Sequence, residues 1–473
     1  MISVELRGYQ KTIVEGARAA MRRSRRVLLQ APTGAGKTAL ATFMSGECAS
    51  KGWPVWFVCH RAELVAQTSY TFTKFGIDHG FISSGHPHDR RKNVHICSID
   101  TVKNRLSVVT PPRLIIFDEC HHLGAAGWTR VQEAFPDAWN IGLSATPQRL
   151  DGKGLDANFD EIVLGPRVAW LIENGFLSPY RAYAPSEPDM KGIKKSMGDF
   201  ARAETEEVMD KPTLTGDAIT HWRKYANGMR SVAFGVTVKH SQHIAEQFLA
   251  AGIPAAHLDG STPKFERARI IRDFAEGRLL VLSNVDLFGE GFDLSAIAQK
   301  EVTIDCVLQM RPTQSLALHL QQVGRALRPA PGKTAIILDH AGNIHRHGLP
   351  DEDREWSLEG RKKESRKGAN DNSPPPPVTC LECFGQIRRP APPACPYCGA
   401  RLAPNVRDVT VGDGELKEIT EREKAEIKRR RLREQAEAES FEDLVRLGAS
   451  RGYSSPQGWA YRVIQSRKRR SYG

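Results

Sequence analysis

The sequence predicts an α/β protein with two tandem, doubly wound parallel-sheet lobes, followed by a small zinc ribbon and a basic helical tail. Three observations support this prediction. Short apolar, strand-like runs alternate with helical stretches, as in a parallel sheet covered by helices on both faces. The chain has 473 residues, which is too long for one ordinary hydrophobic core. A glycine-rich turn follows the first apolar run and opens into a helical stretch.

The first lobe is expected to span residues 1–178. Its candidate strands are short apolar runs between helical stretches, at 27–29, 55–59, 94–97, 114–117 and 141–143. The polar, proline-bearing segment 179–215 is expected to be a linker or a surface insertion. The second lobe is expected over residues 216–345, with candidate strands at 231–235, 279–283, 302–308 and 334–338.

Three shorter segments follow the lobes. Residues 346–377 are charged and then proline-rich, which indicates a mostly extended tether. Residues 378–402 contain four closely spaced cysteines. Residues 403–473 are expected to form a charged helical, basic tail. An exposed helix is expected over 415–446, because Glu, Lys and Arg dominate that stretch.

The turn after the first strand has the composition of a phosphate-binding loop. Its glycines let backbone N–H groups curl around an anion, and the next helix adds partial positive charge at its N-terminus. Lys37 would reach the outer phosphates of ATP, and Thr38 would bind Mg²⁺. Ala31 stands where the general motif has its first glycine. The candidate ATP contacts in this loop are Thr33, Gly34, Ala35, Gly36, Lys37 and Thr38.

Two acidic residues follow the apolar run 114–117. Asp118 at such a strand end can hold Mg²⁺, and Glu119 beside it can polarise the attacking water. The alternative interpretation is a buried strand that runs into a polar turn. The phosphate loop upstream favours the catalytic interpretation.

These residues resemble the superfamily 2 helicases of the DExH-box group, with residues 118–121 as the box. The family's other motifs occur in family order, and the resemblance covers about residues 1–345. It implies two RecA-like lobes that hydrolyse ATP and engage nucleic acid. By motif position it implies ATP contacts from Arg7, Gln10, Gly291 and Asp293, and coupling of the ATP site to the groove through His121, Ser144, Ala145 and Thr146. It implies nucleic-acid contacts from His60, Arg61, Thr101 and Thr237.

The sixth family motif carries two arginines with a mechanical interpretation. Residues 316–328 predict a helix that stops before Pro329. Arg325 and Arg328 lie three residues apart, so both can project from one face. Such a pair is usually a solvated surface. Here the two side chains, with Gln321 nearby, would act as arginine fingers on the transferring phosphoryl group.

Four of the nine cysteines form two Cys-x-x-Cys pairs separated by eleven residues: Cys380, Cys383, Cys395 and Cys398. This spacing suits tetrahedral Zn²⁺. The segment has little apolar material, so the metal would supply its folding energy. A redox dithiol or a disulfide pair is the alternative. A zinc ribbon of this kind can touch nucleic acid or a protein partner.

Net charge favours a polyanionic partner. The chain carries a formal charge of +12 and its sequence pI is about 9.3. Neither a signal sequence nor a membrane-spanning stretch is evident in the sequence, so a cytoplasmic protein without membrane partners is expected. The C-terminal run 467–470 lies near Trp459 and Tyr461. Either the tail binds nucleic acid by phosphate contacts and stacking, or it is a small helical unit with aromatic core residues.

The segment 342–348, the four-cysteine module and the Gly-Trp-Ala-Tyr sequence at 458–461 resemble the RadD-like group of bacterial and phage helicases. This resemblance implies a DNA helicase or translocase in DNA repair, recombination or phage replication, acting on single-stranded or branched DNA. Two alternatives stay open at this point. One is an RNA helicase with the same core, and the other is the motor subunit of a nuclease or remodelling complex that translocates without unwinding.

Overall fold

A computed structural model of the chain describes most of its residues. The described residues are 5–149, 152–185, 188–196, 199–286, 294–298, 300–360, 376–402, 434–435, 437–438, 440–451 and 455–471. They divide into two compact units, residues 1–402 and 403–473. Gly291 and Asp293, the tether residues 361–375 and most of the helix expected over 415–446 lie outside the described residues.

The first lobe is built on a seven-stranded sheet in which every pairing is parallel. Its order is β3-β4-β2-β5-β6-β1-β7. The strands are β1 (Arg26–Gln30), β2 (Val55–Cys59), β3 (Gly80–Ile82), β4 (Val94–Ser98), β5 (Leu114–Asp118), β6 (Trp139–Ser144) and β7 (Glu161–Leu164). The helices are α1 (Gly8–Met21), α2 (Lys37–Ser50), α3 (Ala62–Lys74), α4 (Ile99–Val102), α5 (Ala126–Glu133) and α6 (Val168–Glu173).

The second lobe has a six-stranded sheet, again parallel at each pairing, of order β12-β13-β11-β14-β15-β8. The strands from β8 onward are β8 (Tyr180–Tyr183), the hairpin β9 (Lys195–Ser196) and β10 (Asp199–Phe200), β11 (Ser231–Phe234), β12 (Ala255–Leu258), β13 (Val281–Asn284), β14 (Cys306–Gln309) and β15 (Ala335–Asp339). The helices are α7 (Arg202–Met209), α8 (Pro212–Tyr225), α9 (Val238–Ala250), α10 (Lys264–Ala275), α11 (Leu294–Ala298), α12 (Leu316–Gly324) and α13 (Asn343–His347).

The predicted α/β class with two parallel-sheet lobes is confirmed. Central strands such as β2 and β5 are almost continuously buried, as expected when helices cover both faces of a parallel sheet. The segment expected to be a linker contributes structure to the second lobe. Residues 180–183 form its edge strand, paired with β15.

The four-cysteine segment forms a short hairpin, β16 (Val378–Thr379) and β17 (Gln386–Ile387). It is not isolated from the lobes. Ile387 and Leu402 belong to the same buried cluster as Tyr183 and Trp222 of the second lobe. The segment therefore packs its few apolar side chains against the second lobe.

The described part of the C-terminal unit includes helices α14 (Phe441–Ser450) and α15 (Pro456–Ser471). Ser440 caps α14 by accepting a hydrogen bond from the Asp443 N–H at 3.0 Å. Leu444 and Ala460 are fully buried between the helices. None of the helices that the structure describes is long and apolar enough to cross a membrane.

Candidate active site

The phosphate loop joins β1 to α2. Gly34 and Gly36 have φ angles of +87° and +84°, a left-handed conformation that strains a residue with a side chain. Helix α2 begins at Lys37, so its free N–H groups point toward the loop. The N–H of Ala31 donates to the Ser144 carbonyl at 3.0 Å, which fixes the start of the loop to β6. The loop can therefore cradle a polyphosphate.

The acidic pair lies at the carboxyl end of β5, beside the phosphate loop. Lys37 Nζ lies 3.4 Å from Glu119 Oε1, and His121 Nδ1 lies 3.5 Å from Glu119 Oε2. Glu119 is buried and has a φ of +48°. Backbone strain of this kind in a residue with a side chain is concentrated at functional sites.

Burial and the adjacent charge of Glu119 raise the pKa of Asp118 to about 6, while Lys37 acts in the opposite direction. Two carboxylates held side by side in low dielectric resist joint ionisation. A divalent cation would relieve that repulsion. Oxygen ligands of this kind suit Mg²⁺, so the pair has the chemistry that an ATP-bound metal requires.

The N-terminal residues that precede and open α1 contact the phosphate loop. The Gln10 amide Nε2 donates to the Ala35 carbonyl at 3.1 Å, and the Tyr9 hydroxyl donates to the same carbonyl at 3.0 Å. The Arg7 guanidinium lies 5.2 Å from the ring centre of Phe176. Tyr9 and Phe176, whose ring centres are 4.9 Å apart, were not assigned a role from the sequence. For Tyr9, its position next to Gln10 is the sequence signal that could have indicated its contact with the phosphate loop.

The predicted coupling residues Ser144, Ala145 and Thr146 form a compact hydrogen-bonded turn after β6. The Ser144 hydroxyl donates to the Thr146 carbonyl at 2.7 Å and accepts from the Thr146 N–H at 3.1 Å. The Gln30 amide donates to the Ala145 carbonyl at 3.0 Å. Because Gln30 is the last residue of β1, this turn is tied directly to the strand that carries the phosphate loop.

The sixth motif lies against the phosphate loop from the second lobe. A Cβ added to Gly324 would lie 2.5 Å from Cβ of Thr33, so the two lobes are in close contact there. Arg325 and Gln321 are both buried. The backbone N–H of Ser178 donates to the Leu327 carbonyl at 2.8 Å. The backbone of motif six therefore lies next to the phosphate loop of the first lobe.

The helix of this motif is shorter than predicted. It ends at Gly324 rather than running to residue 328. The N–H groups of Arg325 and Ala326 instead bond three residues back, to Gln322 at 3.2 Å and to Val323 at 3.0 Å. Such tightening is common where a helix unwinds. Arg325 and Arg328 therefore do not share one continuous helical face.

Two predicted nucleic-acid residues follow β2. Arg61 Nη1 donates to the Asp286 carbonyl of the second lobe at 3.3 Å. The His60 ring lies 4.9 Å from the ring of His122, beside the acidic pair. The structure thus brings this motif to the junction of both lobes.

The other two predicted nucleic-acid residues take part in local hydrogen bonds. Thr101 Oγ1 accepts from the Ser84 N–H at 3.1 Å. Thr237 caps α9 by accepting from the His240 N–H at 3.2 Å. Each residue lies just beyond the carboxyl end of a strand, β4 and β11, which is where parallel sheets bind ligands.

An ionic network that the sequence did not reveal lies at the same edge of the second lobe. Asp199 accepts from the Thr313 hydroxyl at 3.0 Å and from the Gln314 N–H at 2.7 Å. Arg311 Nη2 lies 3.3 Å from Asp199, and its Nη1 lies 2.6 Å from Asp286 Oδ1. This network anchors the hairpin β9–β10, from the segment expected to be a linker, beside the carboxyl end of β13.

The four cysteine sulfurs come together. All four lie within 4.8 Å of one another, with Cys380 and Cys398 at 3.7 Å and Cys383 and Cys395 at 3.6 Å. Sulfurs of a tetrahedral Zn²⁺ site at about 2.3 Å from the metal are separated by about 3.8 Å, whereas a disulfide needs about 2.05 Å. The donor set and its spacing fit a structural zinc ion.

The cysteine module is attached to the edge of the second sheet. The Ala184 N–H donates to the Phe384 carbonyl at 3.0 Å, and the Tyr225 hydroxyl donates to the Cys383 carbonyl at 2.9 Å. The rings of Tyr183 and Tyr225 stack with centres 4.0 Å apart. The module thereby covers strand β8, whose edge would otherwise expose unpaired backbone groups.

The C-terminal unit separates the two aromatic residues of the tail. Trp459 packs against Gly448 and partly under Arg451, whose guanidinium lies 5.8 Å from the ring centre. Tyr461 is 61% exposed. Trp459 is thus a packing residue, as the alternative interpretation of the tail expects, while Tyr461 keeps its ring free for stacking.

Comparisons with known proteins agree with this geometry. Residues 3–149 match the family described as "Type III restriction enzyme, res subunit", and residues 212–330 match "Helicase conserved C-terminal domain". The "51.5 kDa protein" of a Lactococcus phage (isolate 7-9) is 37% identical over 329 residues, covering 70% of this chain and 68% of that protein.

A fission-yeast protein and a solved structure are also similar to this chain. The protein irc3 of Schizosaccharomyces pombe, named as a mitochondrial ATP-dependent helicase, is 29% identical over 385 residues, 73% of this chain and 59% of its own length. The chain thus spans about three fifths of that relative. The solved structure "ATP-dependent Type ISP restriction-modification enzyme LlaBIII bound to DNA" is similar in fold, with a TM-score of 0.52 and 17% identity, over 71% of this chain and 27% of that one.

Proposed function

Since the chain belongs to the superfamily 2 DExH/DEAD-like helicases, a class of nucleic-acid-dependent ATPases, we propose that it couples ATP hydrolysis between its two lobes to movement on DNA. The finer assignment is a helicase or translocase on single-stranded or branched DNA, used in repair, recombination or phage replication. The restriction-enzyme family match and a fold neighbour described as bound to DNA support DNA over RNA as the track.

One observation carries the proposal. Gly324 of the second lobe lies against Thr33 of the phosphate loop, so the site for ATP is formed by both lobes. Lys37, Asp118 and Glu119 line its first-lobe wall. In this assignment Lys37 binds the outer phosphates, Asp118 and Thr38 hold Mg²⁺, and Glu119 orients the attacking water.

Arg325 and Arg328 act as the arginine fingers that stabilise the charge on the transferring phosphoryl group. Because they come from the other lobe, turnover requires the lobes to close, and closure moves the nucleic-acid face. The proposed contacts with the nucleic-acid backbone lie just beyond the strand ends that form this face. They are His60, Arg61, Thr101 and Thr237.

A test of this function measures steady-state ATP hydrolysis without nucleic acid and then with single-stranded, duplex and forked DNA and with RNA. Lys37→Ala is the blank. Stimulation by DNA but not by RNA supports the proposal, and strand-displacement assays then separate unwinding from translocation. Stimulation by RNA alone would overturn the choice of track.

A second candidate function is the motor subunit of a restriction or remodelling complex. The match of residues 3–149 to a restriction-enzyme subunit favours it. It predicts DNA-stimulated hydrolysis with no strand separation on any substrate, and displacement of a third strand or of a bound protein from duplex DNA.

The four-cysteine module is proposed to hold a structural Zn²⁺ ion. Burial works against ionisation of Cys380, yet the backbone N–H groups of Cys383 and Glu382 and the neighbouring thiols together outweigh it and lower the pKa of Cys380 to about 7. The pKa of Cys383 is raised, mainly by burial, so Cys380 is the cysteine whose thiolate the surroundings favour before a metal binds. Metal analysis of the purified protein tests this directly. One zinc per chain supports the assignment. The assignment is overturned if the purified protein contains no metal and added Zn²⁺ leaves its stability unchanged.

A further inference from the structure

The segment after the second lobe, residues 349–360, is folded rather than extended, and we call it the strap. Its turn is held by Arg354, whose guanidinium donates to the carbonyls of Leu349 at 2.8 Å and His347 at 3.1 Å. The Leu349 N–H donates to Glu352 Oε1 at 2.9 Å. The part of the expected tether that the structure describes is therefore an ordered continuation of the second lobe.

The far end of the strap is bound to the first lobe. The N–H groups of Leu155 and Asp156 donate to the Leu358 carbonyl at 2.7 Å and 3.1 Å, and the Leu358 side chain packs against a buried cluster of that lobe. A Cβ added to Gly154 would lie 2.1 Å from this carbonyl, so the close approach depends on glycine. The strap therefore spans from one lobe to the other.

The near end of the strap is bound to the cysteine module. Arg388, which follows β17, lies 2.5 Å from Asp351. The hydroxyl of Tyr180, in the edge strand that the module covers, donates to the same carboxylate. The Asp351 side chain is 17% exposed and that of Arg388 is 47% exposed, so the pair lies at the protein surface with its carboxylate partly buried.

The middle of the strap faces the junction of the lobes. A cavity of about 510 Å³ is lined by Thr33 of the phosphate loop, by Gly324 and Leu327 of motif six, and by Asp353 and Arg354 of the strap. The strap is thus one wall of a space whose other walls must move together when the lobes close.

We propose that the strap positions motif six against the phosphate loop, and that the cysteine module holds the strap at its second-lobe end through the Arg388–Asp351 pair. Arg388, Asp351 and Leu358 are positioning residues for ATP hydrolysis, since they touch neither nucleotide nor metal. The proposal rests on the two-lobe ATPase function given above. It assigns the module a role in setting the ATPase rate.

The test compares Arg388→Ala with Arg389→Ala in the full chain, with and without single-stranded DNA. Arg389 has the same charge and is also exposed, but it donates to the Pro376 carbonyl at 3.0 Å rather than pairing with Asp351. We expect Arg388→Ala to lower kcat by about fivefold to tenfold in both conditions, with KM for ATP unchanged, since alignment of the fingers matters only in the transition state. Arg389→Ala should match the unaltered protein, and Arg388→Lys should recover part of the loss.

Leu358→Ala gives an independent measurement at the other end of the strap. It should lower kcat in the same way, and the double variant Arg388→Ala/Leu358→Ala should lose less than the product of the two single effects, because both release one element. Equal kcat for Arg388→Ala and Arg389→Ala would overturn the proposal. So would a parallel loss of kcat, ATP affinity and thermal stability, which indicates a purely structural role.

Failure of the function and failure of the strap are distinguishable. If the unaltered protein shows no stimulation by any nucleic acid, the proposed function fails. The strap proposal is then tested by basal ATP hydrolysis, in which the kcat of Arg388→Ala must still be lower than that of Arg389→Ala.

Discussion

Lys37 Nζ lies 3.4 Å from Glu119 Oε1, and both side chains are largely withdrawn from solvent, at 12% and 6% exposure. An ammonium group that is paired with a carboxylate in this way occupies the position that the outer phosphates of ATP would take. Binding of ATP and Mg²⁺ would therefore draw Lys37 toward the phosphates, and the Glu119 oxygen that it now contacts could accept a hydrogen bond from water.

Glu119→Gln is expected to bind ATP but not to turn it over. The amide keeps the shape of the side chain and removes the base, so kcat should fall by a factor of about 100 or more. Nucleotide affinity, measured with a fluorescent ATP analogue and Mg²⁺, should stay within about threefold of the unaltered protein. Glu133→Gln, on the exposed end of α5, is the matched control. Near-normal hydrolysis by Glu119→Gln would remove the general-base assignment.

The acidic pair should make the metal-free protein less stable as pH rises. Burial raises the pKa of Asp118 from 3.8 to about 6. A raised carboxyl pKa stabilises the folded state below the unfolded pKa, and that contribution is lost as pH rises through the folded pKa. A pKa difference of this size corresponds to a loss on the order of 2–3 kcal/mol of unfolding free energy as the pH rises. Asp118→Asn should therefore match the unaltered protein near about pH 4 and exceed its unfolding free energy by that amount near about pH 7, in the presence of a chelator.

Urea unfolding of the two proteins at both pH values measures the difference. Added Mg²⁺ with ATP should reverse the order at about pH 7, because a cation stabilises the ionised carboxylate and not the amide. A stability difference that is the same at both pH values would show that Asp118 does not titrate in this range.

The sequence predicted the central strands of both lobes and failed at their edges. Among the thirteen strands of the two parallel sheets, the four missing from the prediction are β3, β7, β8 and β12, which are the two edge strands of each sheet. Central parallel strands are buried on both faces and give continuous apolar runs, whereas an edge strand is half exposed and gives no such run. β7, with no fully buried residue, shows this most clearly.

In the candidate site, too, some features could be predicted from the sequence and others could not. Motifs that are local in sequence, such as the loop around Lys37 and the pair Asp118–Glu119, could be located from residue type and spacing. Contacts that join distant segments could not. Asp199 and Arg311, separated by 112 residues, and Asp351 and Arg388 have no local pattern, because each pair depends on how the second lobe folds back on its own flanking segments.

Cys395→Ser should release zinc and also destabilise the second lobe. The cysteine module shares a buried cluster with Tyr183 and Trp222 of that lobe, so loss of the metal also removes packing. Zinc content measured by mass spectrometry should drop below about half an equivalent, and the thermal midpoint should fall by several degrees. Cys48→Ser, at a cysteine outside the cluster, is the control and should retain both values. A variant that keeps its zinc would contradict the four-thiolate assignment.

Gly324→Ala tests whether the lobes must meet at Thr33 for turnover. The new Cβ would lie 2.5 Å from Cβ of Thr33, closer than real Cβ atoms approach, so closure would be obstructed. We expect kcat to fall by about tenfold or more while ATP still binds. Gly216→Ala is the matched control, because a Cβ there meets nothing within 4 Å and the residue is an exposed position of helix α8.

The double variant Gly324→Ala/Thr33→Gly tests whether the loss in Gly324→Ala comes from a steric clash with Thr33 or from a change within helix α12 itself. Removing the Thr33 side chain makes room for the added methyl group, so turnover should recover relative to Gly324→Ala, although Thr33→Gly alone is expected to cost activity. Recovery gives a coupling energy of the sign expected for residues in contact. If the two losses simply multiply, Gly324 and Thr33 do not meet during catalysis. Hydrolysis would then have to proceed with the lobes further apart than in this structure.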